Sequence, residues 1–98
     1  MTINKKQEND KLTLQIEGRL DTLTAPELEE VIKNVVDGQS ELEFDFKNLE
    51  YISSAGLRVL LTAQKIMSEQ GKMYITGASE DILDIFEITG FSEILEVR

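Results

Sequence analysis

The residues of this chain that could carry chemistry are two adjacent serines, Ser53 and Ser54, at the start of a predicted helix. An extended segment that alternates acidic and apolar residues, Leu42 to Phe46, leads to them through a short loop. This order predicts a hydroxyl at the carboxyl end of a strand and at the N-terminus of a helix, where the helix dipole favours a phosphate. Ligands and partners of open α/β sheets bind at this edge.

Two interpretations of the serine pair stay open at this point. One serine is expected to be the helix N-cap, because serine is favoured at that position, and only one cap is needed. Gly56 follows in the first turn, where glycine costs helix propensity but lets another group approach closely. A phosphate on Ser54 would add about −1.5 to −2 charges, and Arg58, one turn later, could pair with it.

Composition argues against an enzyme. The chain has 98 residues, which predicts one domain spanning 1–98. It contains no histidine and no cysteine, so the commonest general base, the commonest zinc ligand and thiol chemistry are all absent. No convincing cluster of carboxylates or glycine-rich phosphate loop replaces them. We therefore expect no catalytic activity, no metal site and no cofactor.

Net charge and hydropathy limit the kinds of molecule that the chain is expected to bind. The net charge of −9 disfavours direct binding to nucleic acid or to an anionic membrane, since both attract positive charge. No apolar run approaches the roughly 18 residues of a membrane span, and no signal peptide is recognisable. A cytoplasmic location is expected. The acidity of the chain either matches a partner with a basic surface or serves only solubility.

Hydrophobic periodicity predicts the order β-β-α-β-α-β-α-β. The predicted strands cover 2–8, 11–17, 41–46, 72–76 and 94–97, and the predicted helices follow capping residues near 24, 53 and 79. Strands that alternate with helices indicate parallel pairing, and right-handed crossovers place the helices together. The expected fold class is α/β, with a mixed, mostly parallel sheet of about five strands and three helices mainly on one face.

Local signals refine this expectation. Thr24 and Glu27 have the spacing of a capping box, and Leu23 and Leu28 have that of a hydrophobic staple. Gly18 is expected to close the second strand. The alternation of apolar and acidic residues over 41–46 indicates that the sheet face opposite the helices is open.

The second predicted helix, about 54–70, is apolar over an unusually wide arc. At 100° per residue the arc spans roughly 220°, whereas a core-facing stripe starts at about 100°. Val59, Ala63 and Ile66 lie on the extra part of this arc. They either form a partner-binding surface beside Ser54 or are buried by a neighbouring helix, and the sequence alone does not choose between the two.

Two segments resemble the STAS domains of the anti-sigma factor antagonist family. The stretch from Gly18 to Leu28 is similar to the family's Gly-x-Leu-Asp…Thr-Ala…Leu pattern before its first helix. The stretch from Leu49 to Leu57 is similar to its Asp-Ser-(Ser/Thr)-Gly-Leu phosphorylation loop. The Gly90-Phe91 corner also resembles the family. The resemblance covers nearly the whole chain and implies a STAS-like fold.

The resemblance implies a binding switch. Family members bind an anti-sigma factor, which is an ATP-bound serine kinase of the GHKL type, and thereby free a sigma factor for transcription. The kinase phosphorylates one serine of the loop, which ends the complex, and a serine phosphatase reverses the modification. By motif position the phospho-acceptor is Ser54, with Ser53 as the second choice. The partner-binding residues implied are Asp21, Thr22, Ser53, Ala55, Gly56, Leu57, Arg58 and Val59. A monomer or weak homodimer is expected.

The chain departs from the family pattern at three positions. Ser53 stands where the family usually has aspartate, Ala55 stands where the second Ser or Thr is usual, and Arg58 stands where a small residue is common. An alternative function therefore stays open: a non-phosphorylated STAS module that acts as a scaffold or accessory subunit in a larger signalling or transport complex.

Overall fold

Five strands and three α-helices make up the fold in a computed structural model that describes all residues 1–98. A short 3₁₀ helix, Phe91–Glu93, follows the last α-helix. The strands are β1 (Thr2–Glu8), β2 (Lys11–Leu20), β3 (Glu41–Asp45), β4 (Leu49–Ile52) and β5 (Lys72–Thr76). The helices are α1 (Ala25–Val35), α2 (Ser54–Ser68) and α3 (Glu80–Thr89). No helix has the length and hydropathy needed to cross a bilayer.

Strand β2 organises the sheet. It pairs antiparallel with β1 through a tight turn at Asn9, whose φ of 56° is left-handed. Its first half pairs in parallel with β3, which in turn pairs in parallel with β5. Its second half pairs in parallel with β4, after a register shift between Gly18 and Arg19. The carboxyl ends of β2 and β4 therefore lie side by side.

The hydrophobic core lies between the sheet and the helices. Alternate residues of β2 and β3, such as Leu14 and Phe44, are fully buried, as are Leu60 of α2 and Phe86 of α3. Each such side chain contributes roughly 1.5–3 kcal/mol on leaving water. The mixed α/β architecture with helices over one face of a five-stranded sheet confirms the predicted fold class.

The opposite face of the sheet is polar and carries an ordered side-chain network. The Tyr74 hydroxyl donates to the Glu41 carboxylate, and the Thr76 hydroxyl donates to Glu43 at 2.7 Å. The hydrogen bond from Tyr74 is the main reason that the pKa of Glu41 lies below its ordinary value of 4.5. The Arg98 guanidinium covers the Tyr74 ring, 3.9 Å from its centroid. These hydrogen bonds and the stacking of Arg98 on Tyr74 hold the side chains of this helix-free face in place.

One predicted strand boundary and one predicted strand are wrong, and one strand was not predicted. Gly18 does not close β2, because the register shift lets the strand continue to Leu20. The predicted strand over 94–97 is replaced by the 3₁₀ turn and a single bridge between Val97 and Ile75. Strand β4 was not predicted, because only its first and last residues are buried and its four residues show no alternation.

The two edges of the sheet differ. On the outer strand β1 every residue except Ile3 is exposed, and the strand carries Lys5 and Lys6 at its centre. Beyond β5, the C-terminal backbone covers the edge. The Ile75 N–H donates to the Glu96 carbonyl at 2.9 Å, and the Arg98 N–H donates to the Ile75 carbonyl at 2.8 Å.

Candidate functional site

The two serines have different roles at the start of α2. Ser53 has extended backbone geometry and is the N-cap: its Oγ accepts a hydrogen bond from the Gly56 N–H at 3.4 Å. Its own N–H donates to the Leu20 carbonyl at 2.9 Å, which ties the helix start to the end of β2. Ser54 is the first residue of the helix and is exposed, and its hydroxyl has no protein partner. One serine therefore caps the helix and the other is free.

Gly56 lets α2 pack closely on the sheet. A Cβ added there would lie 2.7 Å from the Leu20 Cγ, 2.8 Å from the Ile52 Cγ1 and 3.0 Å from the Leu20 carbonyl oxygen. The close approach that a glycine was expected to permit is confirmed, but the approaching groups belong to β2 and β4. Gly56 therefore positions Ser54 by holding the helix against both strands.

The turn between β2 and α1 is built around the Asp21 carboxylate. One of its oxygens accepts from the Leu23 N–H at 3.0 Å, from the Thr24 N–H at 3.2 Å and from the Thr24 hydroxyl at 3.2 Å. The Arg19 guanidinium lies 3.6 Å from the other oxygen. Partial desolvation opposes ionisation, but these donors outweigh it and hold the pKa of Asp21 below its ordinary value. Asp21 therefore fixes the shape of the turn.

The predicted capping box between Thr24 and Glu27 is wrong, because the Thr24 side chain takes part in this turn instead. The Thr24 hydroxyl faces back toward the strand, where it accepts from the Asp21 N–H at 2.8 Å and donates to the Arg19 carbonyl at 2.7 Å. No side-chain capping bond forms at the start of α1. The backbone groups of Asp21 and Arg19 engage the Thr24 hydroxyl, and this hydroxyl is therefore not available to cap α1.

The predicted hydrophobic staple is also wrong, because Leu23 is 90% exposed. Nearby, the Arg19 guanidinium stacks 4.3 Å from the centroid of the half-exposed Tyr51 ring, across the β2–β4 pair. Leu23, Arg19 and Tyr51 are surface residues that were not among the predicted site residues. Pairing of Arg19 with Tyr51 could be recognised only if β4 had been predicted.

A groove of about 300 Å³ lies between the N-terminal halves of α1 and α2. Four of the predicted partner-binding residues line it: Thr22, Ala55, Arg58 and Val59. The other wall residues are Ala25, Pro26, Glu29 and Thr62. The fold therefore brings together residues from both segments that carried the family resemblance, and Ser54 adjoins the groove through Ala55.

The wide apolar arc of α2 is covered largely by the chain itself. Val59 is 6% exposed and Ala63 is fully buried, because α1 packs along this side of α2. Gly56 and Leu57 are buried under the strands. The expectation that Gly56, Leu57 and Val59 face a partner is corrected accordingly: Val59 reaches only the floor of the groove.

Six of the predicted site residues remain at least partly accessible, and three of them line the groove. Thr22, Ser54 and Arg58 are exposed, while Asp21, Ser53 and Ala55 are half-buried. Arg58 makes no ion pair. The free Ser54 hydroxyl and the free Arg58 guanidinium therefore both lie at or next to the groove.

Known proteins are similar to this chain in sequence and in fold. The STAS domain family matches residues 2–98 of the chain. Anti-sigma-B factor antagonists from Staphylococcus aureus and Staphylococcus epidermidis are 35% and 31% identical to it. The alignments cover 87% of this chain and 81% of the first relative, and 100% and 93% for the second.

A solved structure supports the fold. The crystal structure of an anti-sigma factor antagonist from Mycobacterium paratuberculosis superposes with a TM-score of 0.89 at 22% identity, over 98% of this chain and 83% of that one. The family match over the full length, the identity to curated relatives and the shared architecture lead to one conclusion. The chain belongs to the STAS domain family, in its group of anti-sigma factor antagonists.

Proposed function

We propose that this chain binds an anti-sigma factor that is an ATP-bound serine kinase, frees its sigma factor, and is switched off by phosphorylation of Ser54. The names of the curated relatives support the antagonist role. The observation that carries the site assignment is the exposed Ser54 hydroxyl without a protein partner at the N-terminus of α2, beside the α1–α2 groove.

The difference between the two serines supports Ser54 as the acceptor. The Ser53 oxygen already accepts the capping hydrogen bond from the Gly56 N–H, whereas the Ser54 oxygen has no protein partner and is free to accept a phosphoryl group. Serine and aspartate rank about equally as N-caps. Ser53 can therefore cap α2 as the family's usual aspartate would. The start of the helix, where Ser54 is exposed, is formed in the same way.

The physical effect of the modification fits a switch. The γ-phosphoryl group of ATP moves to the Ser54 oxygen, the hydroxyl proton leaves and ADP is released. The phosphate adds about −1.5 to −2 charges to a chain of net charge −9. In the free chain the helix N-terminus accommodates that charge. In a complex the same phosphate would be desolvated against the partner, which is costly without a paired cation. A serine phosphatase would restore the binding form.

The test is a binding and phosphorylation assay with serine kinases of the anti-sigma class from the source genome. The chain is mixed with each kinase and either ATP or ADP, captured, and the peptide 47–65 is analysed by mass spectrometry. We expect one phosphate on Ser54, loss of the complex in ATP and stable binding in ADP. Ser54→Ala should block the modification, and Ser54→Asp should bind weakly.

Ser53→Ala is the matched control, because it removes the neighbouring hydroxyl and should still accept phosphate at position 54. Binding that ignores ATP and is unchanged in Ser54→Asp would contradict the proposal. Such a result would instead indicate a constitutive scaffold module.

A further inference from the structure

Arg58 is an unpaired cation in the wall of the groove. It is the only basic residue lining the groove, and it is exposed and makes no ion pair. The acid across the groove, Glu29, lies 3.9 Å from Lys33 of its own helix. The other arginine near the site, Arg19, lies beside Asp21 and stacks on an aromatic ring. The fold therefore leaves Arg58 free while the charged groups around it are engaged.

The helix geometry also places Arg58 next to the candidate acceptor. Ser54 and Arg58 are four residues apart on α2, and such residues lie on the same face of a helix one turn apart. A phosphate on Ser54 would be within reach of the guanidinium, whose planar fork matches phosphate oxygens. The same fork matches a carboxylate equally well.

We infer that Arg58 has two successive partners: a carboxylate of the anti-sigma factor while Ser54 is unmodified, and the phosphate of phosphoserine 54 afterwards. This inference rests on the proposed function and adds to it. A guanidinium covered by a partner without a paired acid would be costly, so the group opposite Arg58 should be acidic. Phosphorylation then removes an attractive contact in addition to introducing a repulsive one.

The intramolecular half of this inference can be tested without a partner. Phosphoserine is placed at position 54 during translation, and the phosphate is titrated by ³¹P NMR in the wild type, in Arg58→Gln and in Lys65→Gln. Lys65→Gln is the matched control: it removes the same charge from an exposed position on α2, three turns away from Ser54.

We expect the titration midpoint to rise by roughly 0.2–0.7 pH units in Arg58→Gln, as for loss of an exposed ion pair. In Lys65→Gln the midpoint should stay near the wild-type value, because the Lys65 charge is screened over the three helical turns that separate it from Ser54. Equal midpoints in all three proteins would overturn the pairing of phosphate with Arg58.

The intermolecular half is tested by the affinity for the anti-sigma factor, measured for unmodified and phosphorylated forms of the same variants. Arg58→Gln should weaken binding of the unmodified chain at least about tenfold, as for truncation of one member of a charge pair. It should also shrink the affinity loss that phosphorylation causes, whereas Lys65→Gln should do neither. Unchanged binding of unmodified Arg58→Gln would overturn the carboxylate contact. If phosphorylation does not weaken the wild type, the proposed switch fails, and the NMR titration still decides the phosphate pairing.

Discussion

Replacement of Gly56 by alanine should destabilise the fold, although alanine is the better helix former. The new Cβ would lie 2.7 Å from the Leu20 Cγ and 2.8 Å from the Ile52 Cγ1, well inside normal contact. It would also lie 3.0 Å from the Leu20 carbonyl oxygen, which cannot move without shifting the backbone of β2. The crowding therefore cannot be relieved by side-chain rotation alone.

The expected size follows from two opposing effects. Overpacking of a well-packed core typically costs about 1–3 kcal/mol, and the helix propensity of alanine returns at most about 1 kcal/mol relative to glycine. Because one crowded neighbour is a backbone atom, the overpacking cost should lie in the upper part of this range, about 2–3 kcal/mol, which leaves a net loss of about 1–2 kcal/mol in the free energy of unfolding. For a domain of this size each kcal/mol lowers Tm by about 4–8 °C.

Urea unfolding followed by far-UV circular dichroism measures this loss, with an unchanged m value as the sign that the compactness of the two states is preserved. A double-mutant cycle with Leu20→Ala tests the cause, because removing the Leu20 side chain makes room for the new Cβ. The double variant should lose at least about 0.5 kcal/mol less than the sum of the single losses. A Gly56→Ala chain as stable as the wild type, or strictly additive losses, would refute the reasoning.

Three further predictions concern the site and the polar face. Ser53→Ala should lower the free energy of unfolding in urea by about 0.5–1 kcal/mol, because it removes a long N-cap hydrogen bond. Ser54→Ala should change it by no more than about 0.5 kcal/mol, because the Ser54 hydroxyl has no partner. Equal losses would contradict the assigned roles. The lowered pKa of Glu41 stabilises the fold above the ordinary value of 4.5, and that stability is lost as the pH falls through the lower folded pKa. Tyr74→Phe should raise the Glu41 pKa in ¹³C NMR titration and reduce the stability difference between neutral and acidic pH; an unmoved pKa would argue against the hydrogen bond as its cause. Leu23→Ser should leave unfolding unchanged, since the side chain is 90% exposed, but weaken binding to the anti-sigma factor in titration calorimetry; unchanged affinity would place Leu23 outside the interface.

The sequence predicted the features that depend on one element at a time. The amphipathic pattern located all three helices, and the cap predicted near residue 79 is confirmed, because the Ser79 oxygen accepts from the Ile82 N–H at 3.3 Å. The fold class is confirmed as well. These features are encoded by residues within a few positions of one another, so a local pattern is enough to find them.

The features that it did not predict depend on competition between elements. The Thr24 hydroxyl could bind either the first turn of α1 or the backbone of the preceding turn. The structure shows that it binds the backbone of Asp21 and Arg19. Strand β4 is defined by its pairing with the second half of β2, and the four residues Leu49–Ile52 show no alternation that predicts a strand. In the same way, the wide apolar arc of α2 could not reveal that α1 would cover Val59.

The outer strand β1 has a consequence for solubility. An exposed strand edge is a template on which another chain can add a strand, and this is a common route to aggregation. Two copies that joined antiparallel at the centres of their β1 strands would bring Lys5 and Lys6 of one against the same two lysines of the other. At the opposite edge, the backbone of residues 96–98 already pairs with Ile75 of β5. Repulsion between lysines at one edge and the chain's own backbone at the other therefore both disfavour the addition of a strand from another copy.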